Sequence, residues 1–253
     1  MKKILYTALI SIGISKLLSA QNLNFFGVTP TISQTGRIVN MLNYNLFAST
    51  SIDLFNTTID GVSYPSKVLQ LYIQPSLIYA YSPNLNFTGS LTYNYQRSNS
   101  NASFFKEWRT WEQVLFGHGL SHGRMTHRVR YEQRFIENEN TETWPMTTRI
   151  RYQLGFNIPL QGKTLDVGEL YFNYYNEAYF TLTVPPGTLR NALYSEYWIY
   201  SGLGYQTKKT GRIEVGPLLQ FNVRDAQQDL RNLYLLQVSW ITNLNFPTKK
   251  VAK

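Results

Sequence analysis

A period-two alternation of apolar and polar residues most limits what this chain can fold into. It is clearest between Leu85 and Gln96, where polar residues occupy every second position. Successive side chains of a β-strand point to opposite faces, so this pattern predicts a strand with one apolar and one polar face. Further segments share the pattern and are separated by polar turns, which gives ten predicted strands. They span residues 36–49, 68–82, 84–97, 104–116, 124–136, 145–158, 165–180, 194–207, 211–224 and 230–246.

Strand length and spacing favour a membrane barrel over a soluble sandwich, which is the alternative. Sandwich strands typically have about 5 to 6 residues, whereas a tilted membrane-spanning strand needs about 9 to 11. The connections also tend to alternate between long and short, as outside loops and periplasmic turns do. We therefore expect an all-β fold, a transmembrane antiparallel up-and-down β-barrel of about ten strands with a range of about 8–12. An even strand number places both termini in the periplasm.

The amino terminus resembles a secretory signal. Met1-Lys2-Lys3 precedes an apolar stretch that ends at Ile14, and Ala20 is the small residue at the expected cleavage site. Lys16 interrupts the apolar run before it reaches the roughly 20 residues of a spanning helix, which argues against an uncleaved anchor. We expect a signal peptide at residues 1–20, an outer-membrane β-barrel at 21–246 and a short tail at 247–253. The predicted location is the cell outer membrane.

Composition agrees with this location. The chain has 19 Tyr, 14 Phe and 5 Trp, and aromatic side chains collect at the two membrane interfaces of such barrels. Its formal charge of +9 includes three lysines of the predicted signal, and no long basic run predicts nucleic-acid binding. The absence of cysteine excludes disulfides and thiolate sites. Rings are expected near the outer strand ends at Trp144, Trp198, Tyr93 and Tyr95, and near the inner ends at Tyr79, Tyr81, Tyr205 and Phe246.

The last predicted strand indicates how the chain reaches the membrane. An alternating apolar stripe from Leu236 ends at Phe246, which is similar to the C-terminal signal for outer-membrane insertion. Residues 247–253 follow the phenylalanine, which departs from that pattern. We expect two partners, the barrel-assembly machinery during biogenesis and outer-membrane lipid afterwards, and a monomeric protein.

Several charged and aromatic motifs carry a family resemblance. The run from His127 to Phe135 reads His-Arg-Val-Arg-Tyr-Glu-Gln-Arg-Phe, and related motifs begin at Trp108, Arg149 and Asn176. With these motifs the chain resembles the Bacteroidetes outer-membrane barrels catalogued as domain of unknown function 2490. The resemblance covers most of the mature chain. It implies the fold and the location, and it implies no activity.

The same motifs place arginines and glutamates at alternate positions of neighbouring strands. Arginines facing lipid near the midplane would cost about 2 to 4 kcal/mol each, so we expect these charges to face the lumen. The network has two interpretations: ion pairs that fill a narrow barrel, or a basic lining that selects small anionic solutes. The predicted lumen-lining residues are Arg128, Arg130, Glu132, Arg134, Arg149, Arg151, Glu169 and Glu177.

No arrangement of residues predicts an enzyme. The only histidines are His118, His122 and His127, and neighbours such as Ser121 and His122 would point apart on a strand. We expect no catalytic residues, no cofactor and no bound metal. Two other functions stay open: an outer-leaflet lipid-modifying enzyme, and a surface binding protein that uses the loops Thr50–Lys67 and Thr181–Leu193.

Overall fold

The structure is a computed structural model. It describes most of the chain between residues 23 and 243. The predicted signal peptide, the predicted tail and Phe246 lie outside the described residues. The described ranges are 23–59, 62–64, 67–97, 104–138, 141–183, 194–208, 210–223 and 230–243.

Strands make up nearly all of the regular structure in these ranges. The described residues contain no helix that is long and apolar enough to cross a membrane. The strands are β1 (Leu23–Val39), β2 (Leu42–Asp53), β3 (Thr57–Ile59), β4 (Val62–Tyr64), β5 (Val68–Ser82), β6 (Leu85–Arg97), β7 (Phe104–Gly119), β8 (Arg124–Ile136), β9 (Met146–Pro159), β10 (Leu170–Thr183), β11 (Tyr194–Gln206), β12 (Arg212–Val223) and β13 (Leu230–Asn243).

Eleven of these strands close into one barrel. The order around the wall is β1, β13, β12, β11, β10, β9, β8, β7, β6, β5 and β2, and β3 and β4 form a separate two-stranded sheet. Sequential neighbours from β1 to β13 pair antiparallel. The predicted all-β up-and-down barrel is therefore confirmed, and its strand number falls within the expected range.

The barrel is closed by a parallel pair, which the sequence did not predict. β1 and β13 run in the same direction, in register from Leu23 opposite Arg231 to Thr35 opposite Asn243. With an odd number of strands, the barrel begins and ends at opposite rims. The expectation of an even number with both termini on one side is therefore wrong. The first predicted strand, at 36–49, instead contains the turn between β1 and β2, where Asn40 has a φ of 21°.

The two faces of the wall differ in the way that the alternation predicts. Along β7, Glu107 and Arg109 point inward and are buried, whereas Trp108, Val114 and Phe116 point outward and are 43%, 41% and 47% exposed. The same contrast recurs on the other strands, where most of the exposed large apolar side chains belong to the outer face. The polar side chains thus line the lumen, and an apolar surface surrounds the barrel.

Aromatic rings pair on the outer face towards both rims. Tyr93 packs on Trp108 with their ring centroids 4.9 Å apart, near the rim that carries the connections after β6 and β8. Tyr81 meets Phe87 edge-on at 6.4 Å near the opposite rim. Trp198, which the sequence placed among such rings, points inward instead, because it is opposite Glu177 across β10 and β11.

Candidate functional site

The inner faces of β7, β8 and β9 carry charged side chains at alternate positions. Register places these strands side by side, with Arg109 opposite Arg134 and Glu132 opposite Arg149. Glutamates from β10 and β11 complete the group. We call it the arginine–glutamate network; its members are Arg109, Arg128, Arg130, Arg134, Arg149, Arg151, Glu107, Glu132, Glu177 and Glu196.

Glu107 holds two arginines at one end of the network. Arg109 donates two hydrogen bonds to its carboxylate, one of them 2.9 Å long from Nη2. Arg134 donates two more, with Nη2 3.0 Å from Oε2. The Glu107 side chain is fully buried. Paired bonds of this kind between guanidinium and carboxylate are strong and fix the geometry of both groups.

Glu132 is the centre of the larger part of the network. Arg149 and Arg151 each donate to one of its oxygens, and the Arg151 bond is 2.7 Å long. A third guanidinium, that of Arg130, lies 3.7 Å from the same carboxylate. Arg149 extends the network to Glu196, at 2.7 Å. A carboxylate with no exposed surface thus lies among three cations.

Glu177 links β10 to the arginines of β8 and β9. Arg151 donates two hydrogen bonds of 2.8 Å to its carboxylate, and Arg128 donates one of 2.7 Å. The Tyr179 hydroxyl adds a bond of 3.2 Å. The Tyr179 ring also lies 4.4 Å from the Arg151 guanidinium, which suits a cation–π contact.

Arg130 differs from the other arginines because its hydrogen bonds are to neutral groups. Its Nε and Nη2 donate to Gln113 Oε1 at 3.1 and 2.8 Å, and its Nη1 donates to Gln74 at 3.3 Å. The guanidinium lies 3.6 Å from the centre of the Trp111 ring. Among the described residues, the carboxylate that approaches Arg130 is that of Glu132, at 3.7 Å, which is beyond hydrogen-bonding distance. The charge of Arg130 is therefore the least compensated in the network.

A cavity of about 560 Å³ lies inside the barrel beside the network. Its lining includes Ile136 and Val223, the last residues of β8 and β12, at one rim. Glu214 and Ile241 line it towards the other rim. All six arginines of the network contribute to its wall, together with Glu177 and Glu196. The cavity therefore extends along much of the barrel and is bounded on one side by positive charge.

The structure brings together seven of the eight predicted lumen residues. Glu169 does not belong with them. It precedes β10 in a connection, where its carboxylate accepts a hydrogen bond of 2.9 Å from the Asp166 amide.

Three members of the network were not predicted from the sequence, namely Glu107, Arg109 and Glu196. Glu107 and Arg109 alternate with outward-facing residues along β7, a signal that the sequence contains. Glu196 has no such signal, because only the pairing of β11 with β10 places it there.

Comparison with known proteins identifies a family and no activity. A family model described as "Protein of unknown function (DUF2490)" matches residues 43–231, about three quarters of the chain. The chain belongs to the DUF2490 family. No curated protein and no solved structure matches it. The whole arginine–glutamate network of this DUF2490 barrel lies within the matched range. The match begins after β1 and ends at the second residue of β13, so it omits most of the pair that closes the wall.

The histidines of this DUF2490 protein lie away from the network. His127 is on the outer face of β8 and shares a hydrogen bond of 2.8 Å with the Tyr152 hydroxyl. Ser121 and His122 are in the exposed connection between β7 and β8. Within the described ranges, no group of three histidine, aspartate or glutamate residues is placed to hold a metal ion.

Proposed function

We propose that this DUF2490 protein is an outer-membrane barrel whose lumen is a narrow, non-enzymatic pathway for small anionic solutes. The observation that carries the proposal is the elongated cavity walled by the six arginines of the network. Rings of fixed charge select permeating ions by sign. The six arginines outnumber the four glutamates of the network, so the lining has a net positive charge.

The outer wall supports a membrane location. Its large apolar side chains are exposed on strand after strand, whereas soluble monomers rarely expose large apolar patches. The aromatic pairs near both rims suit the two interfaces of a bilayer. The predicted signal peptide and the assembly machinery would deliver the chain to the outer membrane. We propose that it acts there as a monomer surrounded by lipid.

Conductance tests the pathway directly. Protein extracted from membranes of cells that express the full chain is placed in a planar bilayer under a salt gradient. We expect steady, anion-selective conductance, and we expect Arg130→Gln to move the reversal potential towards zero. This substitution removes a lumen charge and leaves Glu132 with both of its bonded arginines. Lys106→Gln is the matched control, because Lys106 is exposed on the outer face of β7.

Two results would contradict the pathway. One is a folded barrel, shown by its strand signal in circular dichroism, that never conducts. The other is conductance whose selectivity is the same in Arg130→Gln as in the unchanged protein. In either case the network would be internal packing of the barrel.

Glu112 gives a separate test of the membrane location. It is the one acidic side chain on the outer face of the described strands, four residues from both Trp108 and Phe116. If this wall faces lipid, Glu112→Leu should raise the free energy of unfolding by about 1–2 kcal/mol, since a carboxylate there is unfavourable. Val114→Glu, at the next outward position, should lower it by a similar amount. Urea titration in lipid vesicles measures both, and a wall that contacts water would leave both values near zero.

A further inference from the structure

Aromatic rings flank the arginines inside the lumen. Phe47 and Tyr72, on β2 and β5, line the cavity on one side of the network, and their ring centroids are 5.9 Å apart. Tyr175 and Trp198, on β10 and β11, line it on the other side. The cavity wall thus combines guanidinium groups with ring faces, a combination that ion pairing alone does not require.

Trp198 lies next to the positive wall. It is directly opposite Glu177, the carboxylate that binds Arg128 and Arg151. The Arg151 guanidinium is 5.8 Å from the centre of the Trp198 ring. The indole Nε1 of Trp198 has no hydrogen-bond partner among the described residues. The Trp198 ring thus lies within cation–π range of an arginine of the network.

Tyr175 extends the ring surface along the lumen. It lies two residues before Glu177 on the inner face of β10, and its ring stacks on that of Tyr200 with their centroids 5.1 Å apart. Trp198 in turn packs on Tyr179 at 5.2 Å. These neighbours hold the rings in place, so little conformational freedom would be lost when a ligand stacks on them.

We propose that the lumen binds organic anions that carry a ring, with the anionic group at the arginines and the ring against Trp198 and Tyr175. The proposal rests on the proposed function, because it names the class of solute that the anion pathway takes. Aromatic carboxylates and sugar acids share this chemistry.

The ring surface argues against a simple inorganic anion as the preferred solute. The face of an aromatic ring carries partial negative charge and so repels a halide, whereas it attracts the positively polarised C–H edge of another ring. Size points the same way. A cavity of about 560 Å³ is within the range of sites that bind small organic molecules and exceeds what one inorganic ion needs.

Calorimetric titration of the detergent-solubilised full-length protein tests this class without relying on conductance. The probes are benzoate, glucuronate and acetate, which carry an aromatic ring, a sugar ring and no ring. We expect at least one ring-bearing anion to bind more tightly than acetate, by about three- to tenfold, the usual contribution of an aromatic contact. Whichever of the two binds more tightly identifies the kind of ring.

Variants separate the contribution of the aromatic rings from that of the arginines. Trp198→Leu should remove the preference over acetate, and Arg130→Gln should weaken all three anions. Tyr175→Leu is a second test of the ring surface if Trp198→Leu fails to fold. Trp108→Leu is the matched control, because this tryptophan is on the outer face and should leave the affinities unchanged.

The outcomes separate this proposal from the pathway. Equal affinities for all three probes, or a ring preference that survives in Trp198→Leu and Tyr175→Leu, would overturn it even if the barrel conducts. Conversely, the barrel could fail to conduct and still bind ring-bearing anions in a way that depends on both Trp198 and Arg130. That result would support a binding site and refute the pathway.

Discussion

Glu132→Gln should lower the free energy of unfolding by about 3–5 kcal/mol, because it leaves buried cations without their counter-charge. Arg149 and Arg151 both donate to the Glu132 carboxylate, which has no exposed surface. Glutamine keeps the shape of the side chain, removes the charge and replaces one acceptor oxygen with an N–H donor that would face an arginine. Denaturant titration of the barrel in lipid vesicles, followed by tryptophan fluorescence, measures it.

Glu142→Gln is the matched control for this substitution. Glu142 is exposed in the connection between β8 and β9, and the same chemical change there should alter stability by less than about 0.5 kcal/mol. Equal effects at the two positions would mean that water reaches Glu132 freely. The network would then contribute little to the stability of the barrel.

Gly216→Ala is expected to cost about 3 kcal/mol, at the upper end of the usual range for overpacking. A Cβ at Gly216 would lie 2.1 Å from the Ser201 carbonyl oxygen and 2.4 Å from the Gly202 Cα, both backbone atoms that cannot move aside cheaply. β11 and β12 approach each other closely here, beside Pro217, and their regular pairing is interrupted between Tyr200 and Leu203.

Gly89→Ala provides the contrast in the same fold. Gly89 is on the outer face of β6, and a Cβ there would have no heavy atom within 4 Å. Alanine in a strand is favoured over glycine by roughly 0.5–1 kcal/mol, so we expect a small gain in stability. The same denaturant titration measures both variants. Similar losses at the two positions would contradict the close approach of β11 and β12.

Much of the wall could be predicted because alternation is a local property of the sequence. The segment from Leu85 to Gln96 shows which side chains share a face without knowledge of any neighbour. The turn at Asn40 and Met41 could not be found in this way, because it lies between apolar residues and contains neither glycine nor proline. The prediction therefore merged this turn into one strand at 36–49.

The site was predicted in part, for a related reason. Parity along one strand shows that Arg128 and Glu132 share a face, and the cost of charge in lipid indicates which face it is. Which carboxylate meets which arginine depends on the register between strands, and two positions illustrate this. Glu196 joins Arg149 from a strand two places away in the wall, whereas Glu169 is excluded because β10 begins one residue after it.

The parallel pairing of β1 with β13 has a topological consequence for anything attached to the barrel. Leu23 and Asn243 are at opposite rims, so the described wall begins on one side of the barrel and ends on the other. A reporter fused to one end would be reachable by an impermeant label, and the same reporter at the other end would be shielded. If the barrel spans the outer membrane, as we propose, its first and last strands would thus end in different compartments, one at the cell exterior and the other at the periplasm.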